Sequence, residues 1–452
     1  MSSIALGRGR FAKPAKARRA KAKTRARRAV STEYNMLLTA TLCLLALGAV
    51  MVFSASSTTQ VLQNGGLSNS AFYLKRTLMF GAVGLVIMHV AARMGLDAIR
   101  RLTPALLAGS MFLLVAVLGA GHAANGATRW IGPSSLQIQP SELVKVALIL
   151  YGADLLARKP KRARSLEGFM PFLLVTGAAC LLIMLQPDMG TTMVIAFAVG
   201  ATLIAAGARP RDLGMIALAI GVFALLLTIV EPYRMARLTG FLHPGSAAEG
   251  AGFQAAQAKI ALGSGGIFGV GIGNGVQKAF YLPEAHTDMI SAVIGEELGM
   301  IGIVGVVGLF AMFGYAGLKV AQKAKDNYGK LLVAGLTSLV LVQATINLFA
   351  VMGLAPLTGV PLPFVSYGNS SLMATLFAVG LILNVARGGR AAAARTSTGS
   401  RAGKLRLVDG GRPPARERSR STGARKAKSG GRSGGNRGAR RSRPGGRRRA
   451  SG

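Results

Sequence analysis

Acidic residues, cysteine and tryptophan are scarce in this chain. Of 452 residues only 16 are Asp or Glu, against 54 Lys or Arg, and there are two Cys, four His and one Trp. Cys43 and Cys180 both fall inside apolar runs with no motif spacing between them, so two apolar thiols are read in preference to a disulfide or a thiolate metal site. Charged residues of both signs make up 15% against 51% hydrophobic, with a mean hydropathy of +0.44. That is too apolar for a soluble protein of this size, and the composition implies a polytopic membrane protein. The net charge of +38 does not point to a nucleic-acid binder, because it is concentrated at the ends: 11 Lys and Arg lie in residues 1–34 and 21 in residues 387–452, or 32 of the 54. From Gly388 onward the chain is mostly Arg, Gly, Ser, Ala and Pro, which cannot bury enough surface to offset its ordering entropy. Both tails, 1–34 and 388–452, are read as disordered and lying on anionic lipid. No aromatic residue interleaves the Arg-Gly-Ser repeats, so no nucleic acid is expected.

A membrane span takes roughly 20 apolar residues. Nine stretches meet this: 36–53, 77–92, 102–121, 169–185, 189–208, 213–230, 298–318, 331–354 and 366–386. A tenth, 142–156, carries Glu142, Lys145 and Asp154; it is counted as a span because omitting it would place basic loops on both sides of the membrane. With ten spans and the N-terminus inside, 14 basic loop residues fall on the inner side and seven on the outer, which puts both termini in the cytoplasm. The predicted fold is an all-α polytopic membrane protein of ten transmembrane helices with a large outer loop between helices 7 and 8. Residues 1–53 also fit a basic region and apolar core of a signal peptide, but the leader would be unusually long, so the first span is read as retained.

Under this topology the unusual polar residues converge on the outer face, from four loops: "GATRWIGPSSLQIQPSELVK" (126–145), "QPDMGTT" (186–192), residues 231–287, and "GLAPLTGVPLPFVSYGNSS" (353–371). Pro140 suits the first turn of a helix, where Glu142 meets the positive end of the dipole and pairs with Lys145 three positions on. That pair fits a polar cavity or a strut between helices. Trp130 reads as an interfacial anchor, and Arg129 as a phosphate ligand. The glycines of "GSGGIFGVGIGNGVQK" (263–278) are not a nucleotide loop, since no Lys-Ser/Thr follows them and no strand precedes them. Their amides could cradle a lipid diphosphate, though a flexible loop without a ligand role is favoured. Pro356, Pro361 and Pro363 predict a rigid extended turn, with Ser366 and Ser370 capping the last span. Pro283 suits a helix start, which would set Glu284 and Asp288 on one face with Gly295. Two carboxylates held close push their pKa values apart and suit general-base work on a hydroxyl. Glu297, near the opposite face, is assigned to packing or helix pairing. On the residues alone, a structural polar cluster and a catalytic one stand even.

"RWIGPSSLQIQPSELVK", "QPDMGTT", "YRMARLTGFLHP", "FQAAQAKIALGSGG", "LPEAHTDMISAVIGEELG" and "PLTGVPLPFVSYGNSS", in this order, resemble the SEDS family (shape, elongation, division and sporulation) over residues 35–387. Ala285 in "YLPEAHTD" and the stretch "FYLKR" (72–76) look more like the cell-division members than the elongation members. The resemblance implies a peptidoglycan glycosyltransferase that polymerises lipid II on the outer face of the bacterial cytoplasmic membrane at the division site. It would work with a class B penicillin-binding protein and other divisome membrane proteins. By the same likeness Asp288 corresponds to the essential Asp and the proposed base. Arg129, Glu142, Lys145 and Asp188 match polar cavity residues, with Arg129 and Lys145 expected on the diphosphates, and Glu284, His286 and Ser366 complete the expected substrate contacts. A divalent ion, Mg2+ or Mn2+, is left open. Met289, Ile290 and Ser291 depart from the family's Phe-Ile-Phe, and Asn369 from a Gly, without removing a charge. A flippase for the lipid-linked precursor and a non-catalytic scaffold are the competing classes. The first is disfavoured by polar residues gathered on one face, and the second leaves Asp288 without a role.

Overall fold

A computed structural model describes residues 32–64, 72–124, 127–133, 137–160, 164–243 and 251–406. Three helices, α1 (Thr32–Asn64), α2 (Phe72–Ala91) and α3 (Leu96–Ala120), precede a hairpin of β1 (His122–Ala124) and β2 (Ala127–Trp130). Four helices follow: α4 (Pro140–Arg158), α5 (Leu166–Met184), α6 (Met189–Ala206) and α7 (Pro210–Val230). Shorter ones, α8 (Pro232–Leu242), α9 (Ala251–Ser264) and α10 (Gln277–Phe280), lead to α11 (Ile290–Lys323), α12 (Asn327–Val351) and α13 (Asn369–Arg406). Lipid offers no partner to backbone amides and carbonyls, so spanning segments must satisfy them internally, and helices do.

Among the described residues nine helices are long and apolar enough to cross a membrane. The predicted tenth, α4, is not apolar enough, yet it is among the most enclosed elements, with every residue from Pro140 to Leu156 buried except Leu143, Tyr151 and Leu155. Its charges are paired inside the protein instead of facing lipid. Asp154 takes Arg100 of α3 and Arg158 of its own last turn, while Glu142 takes Lys145. α12 packs against α11, α6 and α4 and is buried along most of its length. By contrast only Thr228 of α7 is buried, and its Leu218, Leu225, Leu226 and Val230 lie exposed, as on a lipid-facing helix.

Three details differ from the sequence reading. Residues 283–289 do not open a helix: Glu284 takes a left-handed φ of 54°, Thr287 N–H closes the turn on Glu284 O at 3.0 Å, and α11 starts at Ile290. The span expected at 298–318 is therefore longer and is broken at Gly299, whose φ of 65° and ψ of −161° lie outside the helical region. The last helix runs on to Arg406, past the predicted boundary at Arg387, through an alanine run that favours helix. The expected N-terminal tail through residue 31, and the tail from 407 on, lie outside the described residues. The expected extended turn is present, with residues 356–362 in neither helix nor strand.

Candidate functional site

The turn that opens α11 carries the central carboxylates. Thr287 lies between them: its hydroxyl is 3.0 Å from Glu284 Oε2 and 3.2 Å from Asp288 Oδ1, and can donate to one at a time. Asp288 is half-buried. Its carboxyl is pushed up to about 6, first by loss of water and then by the negative charge of Glu284, against the opposing pull of Thr287, a backbone hydrogen bond and Arg237. The sequence expectation of two coupled carboxylates holds, although a turn couples them and not a helix face. His286 packs its ring at 4.4 Å from Tyr73 and 5.6 Å from Tyr367, and burial holds it below its ordinary value despite Glu284, so it is neutral at pH 7.

The support under Asp288 comes from residues the sequence reading passed over. Asn347 Nδ2 donates to Asp288 O at 2.7 Å and to Val360 O at 2.8 Å, and its Oδ1 accepts from Ser291 Oγ at 2.9 Å. One turn earlier on α12, Gln343 Nε2 donates to Pro361 O at 3.1 Å while its Oε1 accepts from Lys145 Nζ at 3.0 Å. Two amides four positions apart thus fix the 356–362 segment beside the turn that carries Asp288. A Cβ built on Gly359 of that segment would lie 3.8 Å from Asp288 Oδ2. The available signal was Gln343 and Asn347 in an otherwise apolar span, where polar side chains serve as interhelical glue.

The other predicted residues gather around this segment in more structural roles. Lys145 Nζ donates to Glu142 Oε1 at 2.8 Å, with both side chains 3% exposed. Asp188 caps α6, accepting from Thr191 N at 3.1 Å and Thr191 Oγ1 at 2.8 Å. Next to it, Gly190 abuts the same loop: a Cβ there would be 2.6 Å from Thr358 O. Arg129 donates Nε to Gln186 O at 3.2 Å and Nη2 to Pro187 O, tying the hairpin to the turn before α6. Ser366 does not cap the last helix as expected, because α13 begins at Asn369; its Oγ accepts from Leu362 N at 2.8 Å and closes the preceding turn. Ser370 likewise turns away, accepting from Gln139 N at 3.0 Å.

The glycine-rich loop, expected to be flexible, is folded back against α11. Val270 N and Gly271 N donate to the carbonyls of Glu296 and Glu297 at 3.0 Å each, and Met300 N returns to Gly266 O at 2.9 Å, so the loop satisfies the backbone groups freed by the break in α11. A Cβ on Gly269 would lie 2.1 Å from Glu297 O, and one on Gly299 2.4 Å from Gly269 N. Below it, Glu297 accepts from Ser54 Oγ at 2.7 Å and pairs with Lys278 at 2.5 Å, with both ionic side chains at most 1% exposed. Glu297 thus ties α11 to α1 and α10. Glu296 Oε1 accepts from Val276 N and Gln277 N at 2.7 and 3.1 Å, fixing the start of α10.

Comparison with known proteins gives consistent likenesses. The cell cycle protein family FtsW/RodA/SpoVE matches residues 34–391. A probable peptidoglycan glycosyltransferase FtsW of Trichlorobacter lovleyi is 41% identical over 363 residues, covering 79% of this chain and 94% of the relative. Stage V sporulation protein E of Bacillus subtilis is 41% identical over 358 residues, covering 78% and 96%. A chain from a structure on coordination of polymerization and crosslinking by a peptidoglycan synthase complex superposes with a TM-score of 0.65 at 28% identity, covering 78% of this chain and 97% of that one. The rod shape determining protein RodA of Thermus thermophilus superposes with a TM-score of 0.57 at 29% identity, covering 78% and 95%.

Proposed function

We propose, from the premise that this chain belongs to the FtsW/RodA/SpoVE family of cell cycle proteins, that it is a peptidoglycan glycosyltransferase polymerising lipid II in cell division. The observation that carries the reading is Asp288, a half-buried carboxylate whose pKa is raised to about 6 and whose backbone is fixed to α12 and the 356–362 segment by Asn347. A base is most effective when its pKa lies near the working pH, and a carboxyl at its ordinary value would hold a hydroxyl proton weakly.

In the mechanism, Asp288 takes the proton of the acceptor sugar hydroxyl as its oxygen attacks the anomeric carbon of the donor. The diphosphate, already a good leaving group, departs with the bonding electron pair. Holding the hydroxyl and the anomeric carbon about 3–3.5 Å apart supplies much of the acceleration. Thr287 can shift its hydrogen bond between Asp288 and Glu284 as the proton arrives. Neutral His286, in van der Waals contact with Tyr73 and Tyr367, offers a flat apolar surface for a sugar ring. Among the described residues no group of three or more His, Cys, Asp or Glu side chains could hold a divalent ion such as Mg2+ or Mn2+.

The finer topology belongs to the same proposal: ten spans including α4, both termini cytoplasmic, and residues 232–287 outside. The excess of basic residues on the inner loops supports it. The cytoplasmic membrane at the division site and a class B penicillin-binding protein as crosslinking partner are proposed on the likeness to division relatives and to a chain of a synthase complex. The test is polymerisation of purified lipid II by the reconstituted protein, alone and with the transpeptidase. Glycan chains are expected, more with the partner; no chains in either case would overturn the reading.

A further inference from the structure

Two cations near the reactive turn have no part in the chemistry above. Arg237 stands on α8 in "YRMARLTGFLHP" and Lys259 on α9 in "FQAAQAKIALGSGG". Their side chains line one recess together with Phe241, Ala350, Gly353 and Leu357. Arg237 Nη1 donates to Leu357 O at 2.9 Å, and Gly359, two residues on, lies against Asp288. Arg237 is therefore fastened to the segment that Asp288 faces, close enough for its charge to favour the ionised carboxylate. Lys259 folds over Gly353: a Cβ there would be 2.0 Å from Lys259 Cε and 2.7 Å from Nζ. Gly353 also has a φ of 70°, so glycine is needed both for the turn and for passage of the lysine stem. Lys259 is exposed, and among the described residues no carboxylate forms an ion pair with it. The cations picked out from sequence for phosphate are engaged elsewhere: Arg129 on two carbonyls and Lys145 on Glu142.

We propose that Arg237 and Lys259 form the clamp for the leaving polyprenyl diphosphate of the glycosyl donor. The proposal rests on the polymerase reading and deepens it. Attacking oxygen, anomeric carbon and leaving oxygen stand in line, so negative charge collects a few ångströms beyond the base. The acceptor's own diphosphate is separated from its reacting hydroxyl by two sugar rings, which makes it the worse fit to a cation pair whose arginine is fastened to the segment that Asp288 faces. As the acceptor O–H proton passes to Asp288 and the new C–O bond forms, the old C–O bond breaks and its electron pair goes to the diphosphate oxygen. A forked guanidinium and a mobile ammonium are suited to neutralise that charge where it develops.

The clamp is tested by binding sugar-free undecaprenyl diphosphate to the full-length protein in nanodiscs, where no turnover can occur. Lys259→Met keeps the apolar stem and is expected to weaken binding about tenfold, the scale of one charged hydrogen bond. Lys259→Arg should recover most of it. Arg237→Lys should weaken it similarly while keeping the charge, through loss of the fork. Wild-type diphosphate affinity in Lys259→Met would overturn the clamp and leave the polymerase reading standing. A loss that Lys259→Arg does not recover would also overturn it, assigning Lys259 to packing over Gly353. Failure of the wild-type protein to polymerise lipid II would instead remove the reading on which the clamp rests.

Discussion

Replacing Lys145 with Met separates two roles for the charged pair at the head of α4. Lys145 Nζ donates to Glu142 Oε1 and to Gln343 Oε1 at 2.8 and 3.0 Å, in a place where both ionic side chains are 3% exposed. Its removal strands a buried carboxylate and an amide oxygen together. Breaking one half of a buried pair costs about 3–5 kcal/mol. The double replacement, Glu142→Gln with Lys145→Met, removes the stranded charge, so it should cost less than the sum of the singles by about 2–3 kcal/mol. Gln343 also carries Pro361 O, so the single variant is expected to loosen the 356–362 segment and slow polymerisation, and the double to recover part of the rate. The assay is a double-mutant cycle of unfolding in detergent, with the KM for lipid II measured in parallel. A Lys145→Met protein of wild-type stability with a raised KM would refute the strut and make Lys145 a substrate ligand.

Asp288 works as a base only when ionised, so polymerisation should fall as pH drops through about 6, and Glu284→Gln should move this acid limb to lower pH by removing a charge that raises Asp288. A pH–rate profile unmoved by Glu284→Gln would contradict the coupling. Gly299→Ala should abolish accumulation of folded protein, because a Cβ there meets Gly269 N at 2.4 Å and the backbone conformation favours glycine; normal yield of monodisperse protein would show that the break in α11 can heal. In a background lacking Cys43 and Cys180, a Cys at Thr239 is expected to react with an impermeant reagent from the outer side and one at Lys159 is not; the reverse pattern would overturn the topology.

Much of the scaffold could be read from sequence because lipid imposes a simple rule: long apolar runs become helices, and each of the nine clear stretches did. The Glu142–Lys145 pair followed from spacing and a proline at the helix start, both local features. What escaped depended on contacts between distant segments. The glycine-rich stretch looks flexible until the break at Gly299, some 30 residues later, supplies carbonyls for its amides. Pro283 suits a helix, yet the left-handed Glu284 ends that option. Gln343 and Asn347 carry no catalytic chemistry of their own, so they were passed over, although they fix the loop and the backbone beside Asp288. Arg129 and Lys145 have the right charge for a diphosphate, but the fold spends one on carbonyls and buries the other.

The most direct test compares the wild-type protein and Asp288→Asn as polymerases of purified lipid II in detergent, where the substrate is accessible and translocation cannot limit the rate. The Asn side chain keeps the size and most hydrogen bonding, so the variant should fold and bind lipid II. Loss of a positioned base is expected to lower the rate on the order of 10²–10⁴-fold. Glycan chains made by folded Asp288→Asn at near wild-type rate would contradict the account and leave Asp288 a structural carboxylate.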